Sequence, residues 1–301
     1  MTSAPAEFHV LQPMGFDGAG PSQTCLNICE AAGRQGSRVR LYGTRRARAV
    51  QPRHCTLVTP YGNALARLPY RYSVPVLTRA IERCILRDVP DGATVYVWPA
   101  LRAEIAETLH ARGCRIAVEL INILTLREKE ILEAEMAAED FHYGHYVTDA
   151  KIDNQKRLLD LADLIFVSNE KAAASLDGFV DERVQVVQTR YGTATRAPRT
   201  AYGGPDLRPV FLFVGRINLE KGVHHLLRAW TAAGIDGELH LYGHLDPRFA
   251  RRYADLLAAP GVRVMGFTRD IQARYAAADG FLFLSLAEGG PQVTVEAAGH
   301  G

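Results

Sequence analysis

Short apolar runs alternate with segments of helical periodicity along the chain. The runs in the first two thirds are FHVLQP, VRLYGT, TVYVWP, RIAVELINI, DLIFVS and VQVVQT. Helices are predicted between them, for example over residues 101–112, where Gly113 gives the stop, and over residues 124–139, with an acidic exposed face. Strands that alternate with helices of this length indicate βαβ units and a mainly parallel sheet.

This alternation is interrupted once, over residues 196–207. The segment RAPRTAYGGPDL has two prolines, a glycine pair and no periodicity, so it predicts a linker. The alternation then resumes with PVFLFVG, ELHLYG, VRVMGF and GFLFLS. We therefore predict an α/β protein with two Rossmann-like domains, residues 1–205 (linker from about residue 196) and residues 206–301, and a length of 301 residues fits two domains.

The composition is that of a globular protein, with 48% hydrophobic and 23% charged residues and a formal net charge of +2. This balance demands no polyanionic partner, and we expect no nucleic-acid partner. Arginines are concentrated in residues 34–53, where a solvated surface is favoured and contact with anionic lipid head groups or nucleic acid is the alternative. These arginines are Arg34, Arg38, Arg40, Arg45, Arg46, Arg48 and Arg53.

The cysteines and the chain start bear on the compartment. The five cysteines are an odd number without a C-x-x-C pair, which favours a reducing compartment, and Cys25 and Cys29 have the spacing of a buried helix stripe. The start MTSAPAEFHV does not have the pattern of a signal peptide, and no apolar run approaches the ~20 residues that span a bilayer. We expect a cytoplasmic protein, with peripheral contact at the inner face of the membrane as an alternative.

The segment VGRINLEKGVHHLLRAW joins a predicted strand to a predicted helix. Gly215 and Arg216 follow the strand, and Lys221 precedes the helix start. Free N–H groups and the positive end of a helix dipole attract anions, and Arg216 and Lys221 add two cationic side chains. The pattern fits a phosphate site, and surface cations at a loop are the alternative. The P-loop pattern G-x-x-x-x-G-K-[ST] is absent.

A second loop follows the strand GFLFLS and carries Glu288, Gly289 and Gly290. The glycines allow close approach of a ligand to the backbone, and Pro291 is predicted as the first helical residue. Glu296 then lies inside the helix. Two carboxylates around a helix start fit a ligand with hydroxyls at both ends and phosphates between them, as in a nucleotide diphosphate sugar; solvated glutamates are the alternative.

A third loop, PMGFDGAGPSQTC, follows the first strand. It contains Gly15, Gly18 and Gly20, and Ser22 is predicted as a helix N-cap. The loop is either a ligand-binding glycine loop or a simple turn, and it does not match the dinucleotide pattern G-x-G-x-x-G.

Three ordered motifs carry a family resemblance. FVGRINLEKGVHHLLRAW, VMGFTRDIQARYAAADG and GFLFLSLAEGGPQVTVEAAGHG resemble the retaining glycosyltransferases of the GT-B fold, family 4, also called glycosyltransferase group 1. The resemblance covers residues 210–301 well and the N-terminal half only by pattern. It implies two Rossmann-like domains that face a cleft. Family members continue past the position of Gly301, so it also implies an incomplete second domain.

The resemblance implies roles for residues of the second half. Arg216 and Lys221 match positions that hold the donor diphosphate. Glu288 matches the carboxylate that touches the donor sugar, and Glu296 the one that binds the ribose hydroxyls. The backbone from Gly266 to Phe267 matches the stretch that lies against the base.

Glycines complete the donor site that the resemblance implies. Gly215, Gly289 and Gly290 border it, and a loop with Gly18 and Gly20 closes over the donor phosphates from the opposite domain. This chain has Gly-Gly-Pro-Gln after Glu288, where many members have an aromatic residue or leucine and then glycine. The departure keeps the carboxylates and leaves the sugar specificity open.

The implied reaction moves a hexose from a nucleoside diphosphate sugar to a hydroxyl of a glycan, glycolipid or polysaccharide precursor, with retention at the anomeric carbon. Arg216, Lys221 and Glu288 are its candidate catalytic residues. No cofactor other than the donor is implied. The sequence has no D-x-D pair, so we expect no obligatory metal.

The sequence does not identify a catalytic base. The strand RIAVELINIL offers Glu119 and Asn122 where the family often has histidine. His142 and His145 are further candidates, although structural roles are favoured for both.

Three histidine pairs bear on metal binding. We predict no metal site at His142/His145, His224/His225 or His240/His244, because these pairs lack a carboxylate or cysteine at metal-ligand spacing in the sequence.

Two other functions fit parts of this pattern. A non-catalytic nucleotide-sugar-binding protein or inactive partner subunit would keep the donor residues without turnover. A glycoside hydrolase would also use two carboxylates but would have no need of Arg216 and Lys221 at a diphosphate. Product formation with and without a nucleotide separates these alternatives.

Overall fold

The computed structural model describes residues 7–18, 20–67, 70–192 and 208–301. They form two compact units, the first within Met1–Thr125 and Val147–Arg190 and the second within Leu126–Tyr146 and Tyr191–Gly301. The linker predicted at residues 196–207 lies outside the described residues. Residues 126–146, which the sequence pattern places in the first half, group with the second unit.

Thirteen strands occur in the described part of the chain. They are β1 (Glu7–Leu11), β2 (Gly15–Phe16), β3 (Arg38–Tyr42), β4 (Arg45–Arg46), β5 (Thr56–Val58), β6 (Thr94–Val97), β7 (Arg115–Leu120), β8 (Leu164–Val167), β9 (Gln185–Gln188), β10 (Val210–Val214), β11 (Glu238–Tyr242), β12 (Val262–Gly266) and β13 (Gly280–Phe281).

Eleven α-helices and one 3-10 helix, Pro60–Arg67, accompany these strands in the described ranges. The α-helices are α1 (Gly20–Arg34), α2 (Tyr70–Asp88), α3 (Ala103–Ala111), α4 (Thr125–Ala138), α5 (Asp149–Asp160), α6 (Glu170–Ala174), α7 (Val223–Ala233), α8 (Pro247–Arg252), α9 (Ala254–Leu257), α10 (Ile271–Ala277) and α11 (Gln292–Ala298). None of these helices combines the length and the apolar composition that crossing a membrane requires.

The first unit contains a seven-stranded sheet in the order β5-β3-β1-β6-β7-β8-β9, and all its strand pairs are parallel. The six apolar runs predicted as strands are β1, β3, β6, β7, β8 and β9, so the predicted parallel α/β arrangement is confirmed here. A separate pair, β2 and β4, is also parallel. Strand β5 has three residues and was too short to give a sequence signal.

The helix α1 confirms one local prediction and corrects another. Cys25 and Cys29 are buried in the core with Val10 and Leu41, as the four-residue spacing predicts, and all five cysteines are free. Ser22 is not the N-cap. The helix begins at Gly20, so Ser22 lies in its first turn and is buried.

The second unit contains a four-stranded parallel sheet in the order β12-β11-β10-β13. Its four strands are the four runs predicted after the linker. The strand β13 pairs over only Gly280 and Phe281, although Leu282 still donates to Leu212 across 2.8 Å. Since β10 and β13 are parallel neighbours, the loops at their carboxyl ends meet at one edge of the sheet.

The core of the second unit includes a side chain from α4. Met136 packs in the cluster that contains Phe213, Leu227 and Trp230. Burial of this apolar surface explains why α4 groups with the second unit although it lies about 75 residues before β10 in the chain.

Candidate functional site

Gly222 fixes the approach of the loop after β10 to the loop after β13. Its φ is +63°, in the left-handed region that favours glycine, and a Cβ built on it would lie 1.9 Å from the Leu284 carbonyl oxygen. Two further contacts join the loops: Leu286 N–H donates to the Glu220 carbonyl oxygen over 3.0 Å, and the Ser285 hydroxyl lies 3.4 Å from the same oxygen. Glycine at this position therefore lets the two backbones touch.

This contact brings Lys221 and Glu288 together. The Lys221 Nζ donates to Glu288 Oε1 at 2.5 Å and lies 3.1 Å from Glu220 Oε1. The Ser285 hydroxyl also donates to Glu288 Oε1, at 3.0 Å. Lys221 and Glu288 are mostly buried, with 18% and 24% of their side chains exposed. The two loops, which meet at one edge of the sheet, are thus joined by a direct ion pair.

Burial alone would lower the pKa of Lys221, but the carboxylates of Glu288 and Glu220 outweigh it and raise that pKa. Lys221 is therefore a charged ammonium at neutral pH. Glu128 on α4 is a further carboxyl group that interacts electrostatically with Lys221, Glu220 and Glu288. Burial raises its pKa, Glu220 and Glu288 act in the same direction, and Lys221 and a hydrogen bond from the Tyr146 hydroxyl oppose the rise.

Arg216 follows β10 by two residues and is exposed. Among the residues that the structure describes, its guanidinium has no carboxylate partner. It lies near Tyr143, whose pKa burial raises to about 12 while Arg216 opposes the rise. Arg216 thus provides an exposed cation, whereas Lys221 is paired with carboxylates.

The helix α7 begins at Val223, directly after Gly222. Its first turn presents backbone N–H groups without intrahelical acceptors, and the helix dipole makes this end positive. Of the two predicted cations, Lys221 lies two residues before this helix start.

Glu296 lies on α11 and is half-buried. The Tyr275 hydroxyl donates to its Oε2 over 3.3 Å. Burial raises the pKa of Glu296, and this hydrogen bond and the nearby His300 oppose the rise. Pro291, predicted as the first helical residue, is instead the N-cap, and the helix begins one position later, at Gln292.

Gly266 ends β12 with a left-handed φ of +73°, and Phe267 follows it with 82% of its surface exposed. An aromatic ring so exposed at the carboxyl end of a parallel strand has an open face for a planar ligand. By contrast, Gly289 and Gly290 have no left-handed φ. These two glycines therefore contribute only by placing no side chains next to Glu288.

Gly18 and Gly20 lie in the first unit, before and at the start of α1. Their φ angles are +95° and +64°, and no atom lies within 4 Å of a Cβ built at either position. The left-handed backbone explains glycine at both positions. Their role at a donor phosphate stays a prediction.

The candidate bases have protein partners. Glu119 is buried in β7 and accepts a hydrogen bond from the Tyr96 hydroxyl. His142 Nε2 lies 3.7 Å from Asp140 Oδ1, and His145 Nε2 lies 3.7 Å from Glu133 Oε1. These contacts are consistent with the structural roles favoured for the two histidines.

We predicted no metal site at His224/His225 because the sequence shows no carboxylate partner for this pair, and that reason is wrong. Glu135, 89 residues before His224 in the chain, places Oε1 2.7 Å from His224 Nε2 and 2.9 Å from His225 Nε2. The carboxylate comes from α4, so no local spacing rule could find it. Sequence reasoning also missed Glu220 and Glu128. Glu220 is next to Lys221 in the sequence and could have been identified from it. Glu128 comes near these charges only in the folded chain.

Residues 208–301, which include both loops of this site, match the family model described as "Glycosyl transferases group 1". The resemblance predicted from the three motifs is thereby confirmed. No curated protein matches the chain.

Solved structures of the GT-B type share the fold over nearly the whole chain. A sucrose-phosphate synthase from Thermosynechococcus elongatus is 18% identical with a TM-score of 0.70, and the match covers 97% of this chain and 78% of that one. Anabaena HepE, in complex with UDP and glucose, is 15% identical with a TM-score of 0.63, covering 98% and 78%.

WaaG, a glycosyltransferase involved in lipopolysaccharide biosynthesis, is 14% identical with a TM-score of 0.62, and the match covers 97% and 78% of the two chains. At these identities the structural matches establish the α/β fold with parallel sheets. Together with the family match they support a glycosyl transfer function.

Proposed function

We propose that the protein transfers a hexose from a nucleoside diphosphate sugar to an acceptor hydroxyl, with retention at the anomeric carbon. The observation that carries this proposal is the Lys221–Glu288 ion pair at the start of α7, together with the exposed Arg216 in the loop after β10. The acceptor in this proposal is a glycan, glycolipid or polysaccharide precursor. The nucleotide sugar of the proposal agrees in class with the UDP and glucose named for Anabaena HepE.

The cations would stabilise the leaving group. Cleavage of the bond between the anomeric carbon and the diphosphate oxygen leaves its electron pair, and hence negative charge, on that oxygen. Arg216, Lys221 and the first turn of α7 present positive charge from fixed backbone positions. In a partly buried site these charges act more strongly than they would in water.

Glu288 would exchange partners when the donor binds. In the free protein it neutralises Lys221 at 2.5 Å. Phosphate oxygens that approach Lys221 would release the Glu288 carboxylate, which then accepts a hydrogen bond from a sugar hydroxyl. Glu296 would accept from the ribose hydroxyls and Phe267 would lie against the base.

This proposal assigns no metal ion to the transfer step, because the sequence lacks the D-x-D pair that forms a metal cradle in other glycosyltransferases. It places the protein in the cytoplasm, with the inner face of the membrane as the alternative site of work if the acceptor is a lipid.

Donor binding tests the proposal. UDP-, GDP- and ADP-hexoses are titrated into the purified chain by calorimetry and in thermal unfolding, since a ligand that binds only the folded state raises the Tm. We expect one nucleotide class to bind, and Arg216→Ala to weaken it about tenfold, the effect of losing one charge-assisted hydrogen bond. Arg251→Ala is the matched control, because Arg251 is an exposed arginine of α8 in the same unit.

Three outcomes would contradict the proposal. The first is that no donor binds although the chain unfolds cooperatively. The second is that Arg216→Ala and Arg251→Ala bind the donor equally well. The third is that a glycoside is cleaved at the same rate without a nucleotide, which indicates a hydrolase. Donor binding without turnover in the presence of acceptors would identify a binding subunit and remove the catalytic part of the proposal.

A further inference from the structure

Two helices of the second unit bring three potential metal ligands to one point. Glu135 comes from α4, and His224 and His225 come from the first turn of α7. The Nε2 atoms of the two imidazoles lie 2.7 and 2.9 Å from Glu135 Oε1, and one ligand atom from each of the three residues lies within 4.8 Å of the other two. We propose that these three residues form a zinc site that joins α4 to α7.

The ligand set fits zinc by type. Two neutral imidazoles and one carboxylate, with water as the fourth ligand, form a common tetrahedral zinc shell. Bonds of about 2.0–2.1 Å in that geometry separate neighbouring ligand atoms by about 3.3 Å. The two contacts to Glu135 Oε1 therefore lengthen by about half an ångström when the ion enters, a movement within reach of side-chain rotation.

The burial of the three side chains is graded. His224 is fully buried, Glu135 is 18% exposed and His225 is 41% exposed. A zinc ion would thus have a closed side formed by protein and an open side at His225, where the ion enters and a water binds. In the described structure the Nδ1 of His224 has no hydrogen-bond partner, so the imidazole is held through Nε2, the atom that faces the other ligands.

The position of the site gives it a structural role. His224 lies three residues after Lys221, and the α4–α7 contact continues at Glu139 and Arg228, one further turn along each helix. A zinc ion at Glu135 would hold α7, and with it the cationic loop at its start, against α4. This inference does not depend on the proposed glycosyl transfer.

A second histidine–carboxylate pair in the same unit provides a comparison. His240 Nε2 lies 2.6 Å from Glu238 Oε2 on β11. Among the residues that the structure describes, this pair belongs to no group of three possible ligands. One histidine and one carboxylate alone form a weak zinc site. Substitution of His240 therefore shows whether zinc is also taken up unspecifically at such pairs.

The experiment uses the untagged 301-residue chain after removal of metals with a chelator. Zinc chloride is titrated by calorimetry into the parent protein and into Glu135→Gln, His225→Asn and His240→Asn. We expect one zinc per parent chain and a rise in Tm with zinc. Loss of an outer-shell partner costs zinc sites about 10–100-fold in affinity, so loss of a direct ligand in Glu135→Gln or His225→Asn should cost at least about 100-fold. His240→Asn should bind as the parent does.

Cobalt(II) provides a test on the parent protein that does not depend on the folding of any variant. Nitrogen and oxygen ligands in a tetrahedral site give visible absorption without the intense near-ultraviolet band of a thiolate. The proposal is overturned by uptake below one zinc per chain, by equal affinity in Glu135→Gln and the parent, or by a thiolate band, which would assign the metal to cysteines. The first of these results would leave the three residues as a hydrogen-bonded helix contact.

Discussion

The α7 helix has differently arranged charges at its start and along its side. At its start, Lys221 faces Glu288 and Glu220, with Glu128 nearby. Arg216, in the loop before the helix, is exposed and has no carboxylate partner among the described residues. Along its side, Arg228 donates two hydrogen bonds to the two oxygens of Glu139, at 2.6 and 2.7 Å.

The Tyr253 hydroxyl adds a third bond to Glu139, at 2.9 Å. The side contact is thus complete within the protein, whereas the helix start keeps a cation exposed and holds several carboxylates around one ammonium group. The difference suggests that the side of the helix is a structural contact and that its start is arranged to receive an anionic ligand.

The largest effect is expected from Gly222→Ala. Its Cβ would lie 1.9 Å from the Leu284 carbonyl oxygen at a left-handed φ, so the loops must separate. We expect a loss of about 2–4 kcal/mol in the free energy of unfolding and no measurable donor binding. Urea unfolding and calorimetry give the two quantities.

Gly234→Ala is the control for Gly222→Ala. Gly234 ends the same helix with a φ of +58°, but no atom lies within 4 Å of its Cβ. We expect it to cost about 1 kcal/mol, the strain of the left-handed conformation alone. Equal losses in the two variants would contradict the role of the Leu284 contact.

The pH dependence of the Glu139 contact tests the comparison between the side and the start of α7. Its hydrogen bonds with Arg228, against the effect of burial, lower its pKa from the usual 4.5 to about 2. A carboxyl group whose folded pKa is lowered stabilises the fold above pH 4.5 and loses that contribution as the pH falls toward 2. We expect Glu139→Gln to reduce the free energy of unfolding by roughly 1–3 kcal/mol at pH 7 and by little near pH 2.

Donor binding should survive Glu139→Gln, because the change lies away from the helix start. The control is Glu133→Gln on α4, whose Oε1 lies 3.8 Å from Lys129 Nζ and 3.7 Å from His145 Nε2 and whose side chain is 55% exposed. An exposed pair of this kind contributes little. A parallel pH dependence in the parent protein and Glu139→Gln would show that the Glu139 contact contributes nothing to stability.

Phe267→Ala should give the smallest effect on the fold. The ring is 82% exposed, so we expect a change below about 0.5 kcal/mol in the free energy of unfolding. If the ring lies against the base, nucleotide affinity should fall about 5- to 30-fold, since stacking contributes roughly 1–3 kcal/mol per base. Met265→Ala, at a position 45% exposed on β12 just before Phe267, is the control in a nucleotide titration. Unchanged affinity in Phe267→Ala would remove this residue from the site.

The regular elements were predictable because their signals are local. An apolar run such as VRLYGT predicts a strand by itself, and a glycine such as Gly113 predicts the end of the helix before it. The proximity of the Lys221 and Glu288 loops follows from a general rule once β10 and β13 are placed in one parallel sheet, because parallel strands place their following loops at one edge.

What the sequence could not predict depends on distant contacts. The need for glycine at position 222 arises from the carbonyl of Leu284. The Glu135 and Glu139 carboxylates read as a solvated helix face, whereas they contact α7 about 90 residues later in the chain. The short β13 had the apolar pattern of a longer strand, and its regular pairing ends where the chain turns toward Gly222.

The central claim is that the charges at the start of α7 serve transfer from a nucleotide sugar. The most direct measurement follows α-linked UDP-, GDP- and ADP-hexoses by proton NMR with the purified chain, with water or an added acceptor taking the sugar. The account predicts release of one nucleoside diphosphate with an α-configured product in the earliest spectra, and a loss of about 100-fold or more in Glu288→Gln. Donors that stay intact, or a product that is first β-configured, would contradict it.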